Sequence, residues 1–141
     1  MRYYAVIDTN VIVSSMFNRR SVPGQVVELA LNGPIIPLLN EEIFAEYEDV
    51  LVRNKFGFEK SAVKELLTQL RRRSIFLDRT ETDEHFDDPG DVVFYEVVLT
   101  ARSAVNAYLV TGNNKHFPAK RFVVTPREML EIVNKENKKI P

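Results

Sequence analysis

The sequence predicts an α/β fold built on a mainly parallel sheet. Short β-branched or aromatic runs recur along the chain, and longer segments with apolar residues at helical period lie between them. Gly and Pro clusters fall between the two kinds of segment, where the chain must turn. Strands are expected at Tyr3–Ile7, Ile35–Leu39, Ile75–Leu77, Ala107–Val110 and Phe122–Val124.

The helices fall between those strands. Val22-Pro23-Gly24 opens a helical run through Val26, Val27, Leu29 and Ala30, which Asn32-Gly33-Pro34 stops. Asn40 caps the next helix, expected to reach about Arg53 with Ile43, Tyr47, Val50 and Leu51 on its inner face. A third starts at Ser61 and buries Val63, Leu66, Leu67 and Leu70. The acid-rich stretch from Arg79 to Asp91 reads as a loop. Asp88-Pro89 begins a helix carrying Phe94, Val97, Val98 and Ala101, and Thr125-Pro126 begins the last, with Met129, Leu130 and Val133 inward. Residues 1–134 are expected to form a single domain and residues 135–141 a frayed tail.

Composition narrows the function classes. With 45% hydrophobic residues in 141 the chain can bury a sizeable core, and 19 basic against 20 acidic residues leave a net charge of −1. No broad positive field draws in a polyanion, so any nucleic-acid affinity must come from local patches. Cysteine is absent, which excludes disulfides and thiolate metal sites and suits a reducing cytoplasm. No run approaches the roughly 18 apolar residues that span a bilayer, and the N-terminus lacks signal-peptide features. A cytoplasmic protein with no membrane partner is expected.

In an open parallel sheet, ligands bind outside the carboxyl ends of the strands. Asp8 closes the first strand, Asn40 to Glu46 follow the second, and Thr111-Gly112-Asn113 follow the fourth, so all of them lie along one edge. Of the five acids in the second helix, Glu46 flanks the apolar stripe, Glu42 is second choice, and Glu41 and Glu48 point to solvent. Asp91 shares a helix side with Phe94, Val98 and Ala101, where a charge needs a partner. Plainer readings exist for each. Asp8 can start an Asx turn, Asp88 can be an N-cap, and Asp91 can complete a variant of the capping box. Taken together, three carboxylates on one sheet edge repel one another, and a cation relieves that repulsion. Oxygen ligands favour Mg²⁺ or Mn²⁺ over zinc, and His85 and His116 are too few and too badly spaced for a zinc site.

The blocks "IDTNV", "EEIFAEYEDVL", "DDPGDVVF" and "YLVTGNNKHF" occur in an order and at intervals that resemble the PIN-domain family, in particular the toxin components of prokaryotic toxin-antitoxin pairs. The resemblance spans nearly the whole chain. It implies a three-layer α/β/α sandwich and a metal-dependent ribonuclease, with an antitoxin protein as partner and a homodimer as assembly. Asp8, Glu46 and Asp91 match the family's acidic metal-binding positions, Asn10 a polar residue that orients them, and Thr111 the hydroxyl after the fourth strand. Asn113 stands where many members carry a fourth acid, so a second metal loses a ligand, and catalysis weakens or demands high Mn²⁺ or Mg²⁺.

Substrate contacts are expected from Lys115 and His116 after the site loop, then from Arg53 with Lys55, and from Arg19-Arg20. Arg71-Arg72-Arg73 ends a helix and reads as a solvated face complementing the dipole there. Phe17, Phe56 and Phe58 can stack on unpaired bases, which favours single-stranded RNA, or serve core and partner contacts. A haloacid-dehalogenase-type phosphatase also begins with an acid after its first strand, but it needs a second Asp where Asn10 stands. The stronger rival is a PIN-fold binding module with little or no catalysis.

Overall fold

The computed structural model describes the backbone of residues 1–138 and the side chains of residues 1–135. In chain order the elements are β1 (Tyr3–Ile7), α1 (Thr9–Phe17), α2 (Val22–Asn32), β2 (Ile35–Leu39), α3 (Glu41–Leu51), α4 (Lys60–Arg73), β3 (Ile75–Phe76), α5 (Val92–Arg102), β4 (Ala107–Val110), β5 (Val123–Val124) and α6 (Pro126–Lys138). The five strands pair in the order β3-β2-β1-β4-β5, and every pairing is parallel. Helices flank the sheet in a three-layer α/β/α arrangement, with α2 on β2 and α5 on β1 and β4.

Sequence chemistry explains the boundaries. Ser21 accepts from the Gly24 N–H at 3.1 Å and Pro23 preorganises the first turn of α2, which stops at Gly33. The Asn40 side chain accepts from the Ile43 N–H at 2.8 Å and so starts α3 as expected. Thr125 and Glu128 cap each other at the head of α6, at 2.9 and 3.2 Å. Residues 135–138 of the expected tail carry the end of α6, and residues 139–141 lie outside the described residues.

Several elements differ from expectation. The α1 helix was not anticipated, because the β-branched run Val11-Ile12-Val13 has low helix propensity. It forms because Val11, Ile12 and Ser15 are buried and α1 packs along α2. The turn that joins the two helices also lies close on α2 at Gly24, where a Cβ would stand 2.6 Å from the Asn18 carbonyl oxygen and nearer still to that of Arg19. Helix α3 ends at Leu51 rather than Arg53, with Phe44 buried and Val50 only half-buried. The third strand keeps only Ile75 and Phe76, both partly exposed at the sheet edge, and the fifth only Val123 and Val124. Asp88-Pro89 opens a 3₁₀ turn, Pro89–Asp91, before the α-helix begins at Val92.

The arginine run is not simply a solvated face. Arg71 pairs with Glu41 at 2.7 Å and lies over the rings of Phe44 and Phe76. Arg73 donates to the carbonyls of Ala30 and Ile35, both at 3.1 Å, so it closes the end of α2. The core beneath the acidic edge holds Ile7, Leu39, Ile43, Tyr47, Phe94 and Leu109. Among the described residues no helix is long and apolar enough to cross a membrane.

Candidate active site

Strand order reverses between β1 and β4, which grow in opposite directions from the centre of the sheet. Asp8 leaves β1 and Thr111 leaves β4 at this switch point, the place where open α/β sheets bind ligands. The Asp8 N–H donates to the Val110 carbonyl at 2.9 Å, which ties the two strand ends together. Asp8 is 8% exposed and Thr111 is wholly buried.

Asp8 occupies the N-cap position of α1, yet its carboxylate makes no cap bond to that helix. It accepts instead from Thr111 Oγ1 at 2.7 Å. The same Thr111 oxygen accepts from the Asn113 N–H at 3.0 Å, and Asn10 Oδ1 accepts from the Gly112 N–H at 3.2 Å. The Asx-turn alternative for Asp8 is therefore not realised, and the loop after β4 is laced to the end of β1.

Glu46, on the second turn of α3, is half-buried, while Glu41, Glu42 and Glu48 are exposed. Thr9 Oγ1 donates to Glu46 Oε2, and so α1 and α3 meet beside Asp8. Sequence reasoning did not assign Thr9 a role, because its contact with Glu46 depends on α1, which the sequence does not reveal. Tyr47, next to Glu46, is fully buried and donates to the Ile7 carbonyl, locking α3 onto β1. Glu42 faces elsewhere and pairs with Arg79 at 2.8 Å.

Asp91 makes no side-chain bond to the head of α5, so the capping-box reading fails. Asp88 does cap, accepting from the Gly90 N–H at 2.8 Å. Asp91 Oδ2 is buried and has no hydrogen-bond partner; His116 Nδ1 stands 3.7 Å away. Lys115 and His116 are exposed on a 3₁₀ turn, Asn114–His116, just past the site loop. Arg53 lies beyond the end of α3 and pairs with Asp49 at 3.0 Å, and His85 pairs with Asp87 at 3.0 Å.

Charge at this edge is in tension. Burial raises the Asp8 pKa and Glu46 raises it further, while the Thr111 and Thr9 hydrogen bonds and His116 oppose them. The Asp91 carboxyl is pushed up to about 6, first by burial, then by Asp8 and Asp88, with Glu46 adding to them and His116 pulling it down. Asp8, Glu46 and Asp91 thus feel one another's charge. Among the described residues no three acids or histidines are already closed around one point as a ligand cage. They form an open acidic edge whose donors are all oxygens. The residues nevertheless suit a hard cation, because Asp91 Oδ2 is buried without a donor of its own.

A cavity of about 240 Å³ opens next to this edge, lined in part by Asn10, Ser14, Gly112 and Asn113. The wider groove of about 720 Å³ lies between α3 and α4, away from the acids. Size alone does not mark the site.

The family model for the PIN domain matches residues 4–115, from the first strand through the loop after the fourth. The chain belongs to the PIN-domain family. A similar protein of Methanocaldococcus jannaschii, itself uncharacterized, is 25% identical over 146 aligned positions covering 92% of this chain and 91% of that one. The match places Asp8, Glu46, Asp91 and Asn113 of this PIN domain inside the family region. Membership supports a nuclease, and hence a hydrolase.

Proposed function

We propose that this PIN domain is a metal-dependent endoribonuclease that cleaves single-stranded RNA in the cytoplasm, as the toxin of a toxin-antitoxin pair. Its partners in this reading are RNA, an antitoxin protein and a second copy of the chain. The observation that supports it best is Asp91 Oδ2, buried without a hydrogen-bond donor beside the buried carboxylate of Asp8. Two such groups gain most from a shared cation.

Asp8 and Asp91 would hold Mg²⁺ or Mn²⁺, with Glu46 a ligand directly or through water. The bound ion supplies positive charge to the scissile phosphate and to the attacking water. Thr111 fixes the rotamer of Asp8, Thr9 that of Glu46, and Asn10 the backbone of Gly112. Lys115 and His116, exposed just past the site loop with His116 3.7 Å from Asp91, would meet substrate phosphates. Asn113 presents an amide to a water or a phosphate oxygen.

One observation favours a second reading. Asn113 brings no charge where a fourth acid would complete the set, which suits a binding module with weak catalysis. Cleavage of single-stranded RNA in Mn²⁺, lost in Asp8→Asn, supports the enzyme. Cleavage that survives in Asp8→Asn rejects it and points to a contaminant.

A further inference from the structure

α1 and α3 leave the acidic edge side by side. The start of α1 is joined to the middle of α3 by Thr9 and Glu46, and Phe17 at the far end of α1 meets Phe56 and Phe58 in the loop after α3. Thr9 and Phe17 are the first and last of the nine residues of α1, a rise of about 12 Å between them. Phe56 and Phe58 stack at 5.5 Å with 13° between their planes, and Phe17 is tilted against them at 5.8 and 4.8 Å. Phe58 leans on the core, whereas Phe17 is 62% exposed. A ring held this far out of the core has lost much of its burial energy, and an occupant would restore it.

The surroundings of the rings say which occupant fits. Lys55 Nζ lies 5.0 Å from the centre of the Phe56 ring. Arg53 precedes it by two residues, and Arg19-Arg20 follow Phe17 directly after Asn18. Arg53 is paired with Asp49 at 3.0 Å and Arg19 with Glu28 at 3.5 Å, both on the surface, and Glu59 follows Phe58, so Arg20 and Lys55 carry the unpaired positive charge at the rim in a molecule whose net charge is −1. Aromatic faces rimmed by positive charge match bases joined by phosphates.

We propose that Phe17, Phe56 and Phe58, with Lys55 and Arg53 at their rim, form a stacking platform for unpaired bases of a single-stranded polynucleotide whose backbone runs on to the acidic edge. The inference rests on the nuclease reading only for what happens at that edge. The platform itself binds with or without cleavage. Duplexes are excluded because their bases are already stacked on each other.

The test is fluorescence anisotropy in EDTA with a labelled single-stranded RNA of about 12 nucleotides, a length one stacking groove can hold. The same strand annealed to its complement and a backbone-matched strand lacking bases serve as comparisons. Tighter binding of the single strand than of either is expected. Phe17→Leu keeps the apolar bulk but removes the ring, and it should weaken single-strand binding about tenfold. Phe17→Trp should retain it. Both variants should keep the wild-type melting temperature, because the side chain is exposed. The proposal is overturned by wild-type affinity in Phe17→Leu or by equal binding of the base-free strand. It is overturned too by no single-strand binding, or by a sedimentation change in Phe17→Leu without an RNA effect, which assigns the rings to a protein partner. The two readings separate cleanly. Ring-dependent binding without Asp8-dependent cleavage sinks only the nuclease, and Asp8-dependent cleavage with ring-independent binding sinks only the platform.

Discussion

Thr111 Oγ1 donates to Asp8 Oδ2 at 2.7 Å one residue beyond Ile7 and Val110, the last registered pair of β1 and β4. Sheet register alone therefore sets the position of a buried carboxylate. The hydrogen bond favours the charged form of Asp8, so Thr111→Val should raise the Asp8 pKa further and Thr111→Ser should leave it near the wild-type value. Carboxyl-carbon NMR titration of the chelated protein reads this directly, and an unmoved Asp8 in Thr111→Val would contradict it.

Asp91 gives the protein a pH signature. Its carboxyl titrates near pH 6 in the folded chain, above the ordinary aspartate value of 3.8, so the folded state holds that proton more tightly than the unfolded state does. Stability contributed by the protonated form is full at low pH and is lost as pH rises from about 4 through about 6. In EDTA, Asp91→Asn should therefore melt a few degrees above wild type at neutral pH, with the difference closing below pH 4. Melting curves across that range check it, and a constant difference would refute the assignment.

Arg79 links α3, which carries Glu46, to α5, which Asp91 directly precedes, donating to Glu42 on α3 at 2.8 Å and to Glu96 on α5 at 2.7 Å. Glu96 is 5% exposed and also accepts from the Thr82 N–H at 2.9 Å. Arg79→Met leaves that buried charge half-satisfied and should cost about 2 kcal/mol or more. Arg53→Met, which breaks the exposed pair with Asp49, should cost under about 1 kcal/mol. Urea melts of both variants decide the ranking, and adding Glu96→Gln to Arg79→Met should recover part of the loss.

Gly24 has no room for a side chain, because both nearby oxygens belong to the backbone. Gly24→Ala should cost about 1–3 kcal/mol by pushing the Asn18-Arg19 turn away from the first turn of α2. Gly57 has φ near +67° with open space around it, so Gly57→Ala should cost about 1 kcal/mol through backbone strain alone. Equal losses in the two variants would contradict this account of how the Asn18-Arg19 turn packs on α2.

Much of this was legible in the sequence because local chemistry and tertiary demand agree. β1, β2 and β4 have the expected ends since each is a short, nearly continuously buried apolar run that stops at a polar residue, Asp8, Asn40 and Thr111. The acidic edge was readable because a parallel sheet delivers every strand end to one side. α1 was not readable, since Val11-Ile12-Val13 favours extended backbone and only packing on α2 makes it helical. Thr9 was missed for the same reason, because its contact with Glu46 needs α1 to exist. The Asp91 capping alternative was wrong in a useful way. Proximity to the helix start is real, but the carboxylate turns toward Asp8 and away from the N–H groups it could have capped.

Asn113 is exposed and its backbone N–H is already anchored to Thr111. Asn113→Asp adds a fourth carboxylate without disturbing the fold. Cleavage at limiting Mn²⁺ should rise severalfold in that variant, and an unchanged rate would mean that position 113 takes no part.

The most direct measurement is calorimetric titration of Mn²⁺ into the chelated protein, in parallel with Asp8→Asn, Glu46→Gln and Asp91→Asn. The expected result is one saturable site in the wild type, abolished by Asp8→Asn and by Asp91→Asn and weakened at least tenfold by Glu46→Gln. Wild-type binding in either Asp variant, or no saturable binding in the wild type, would contradict a shared cation at this edge.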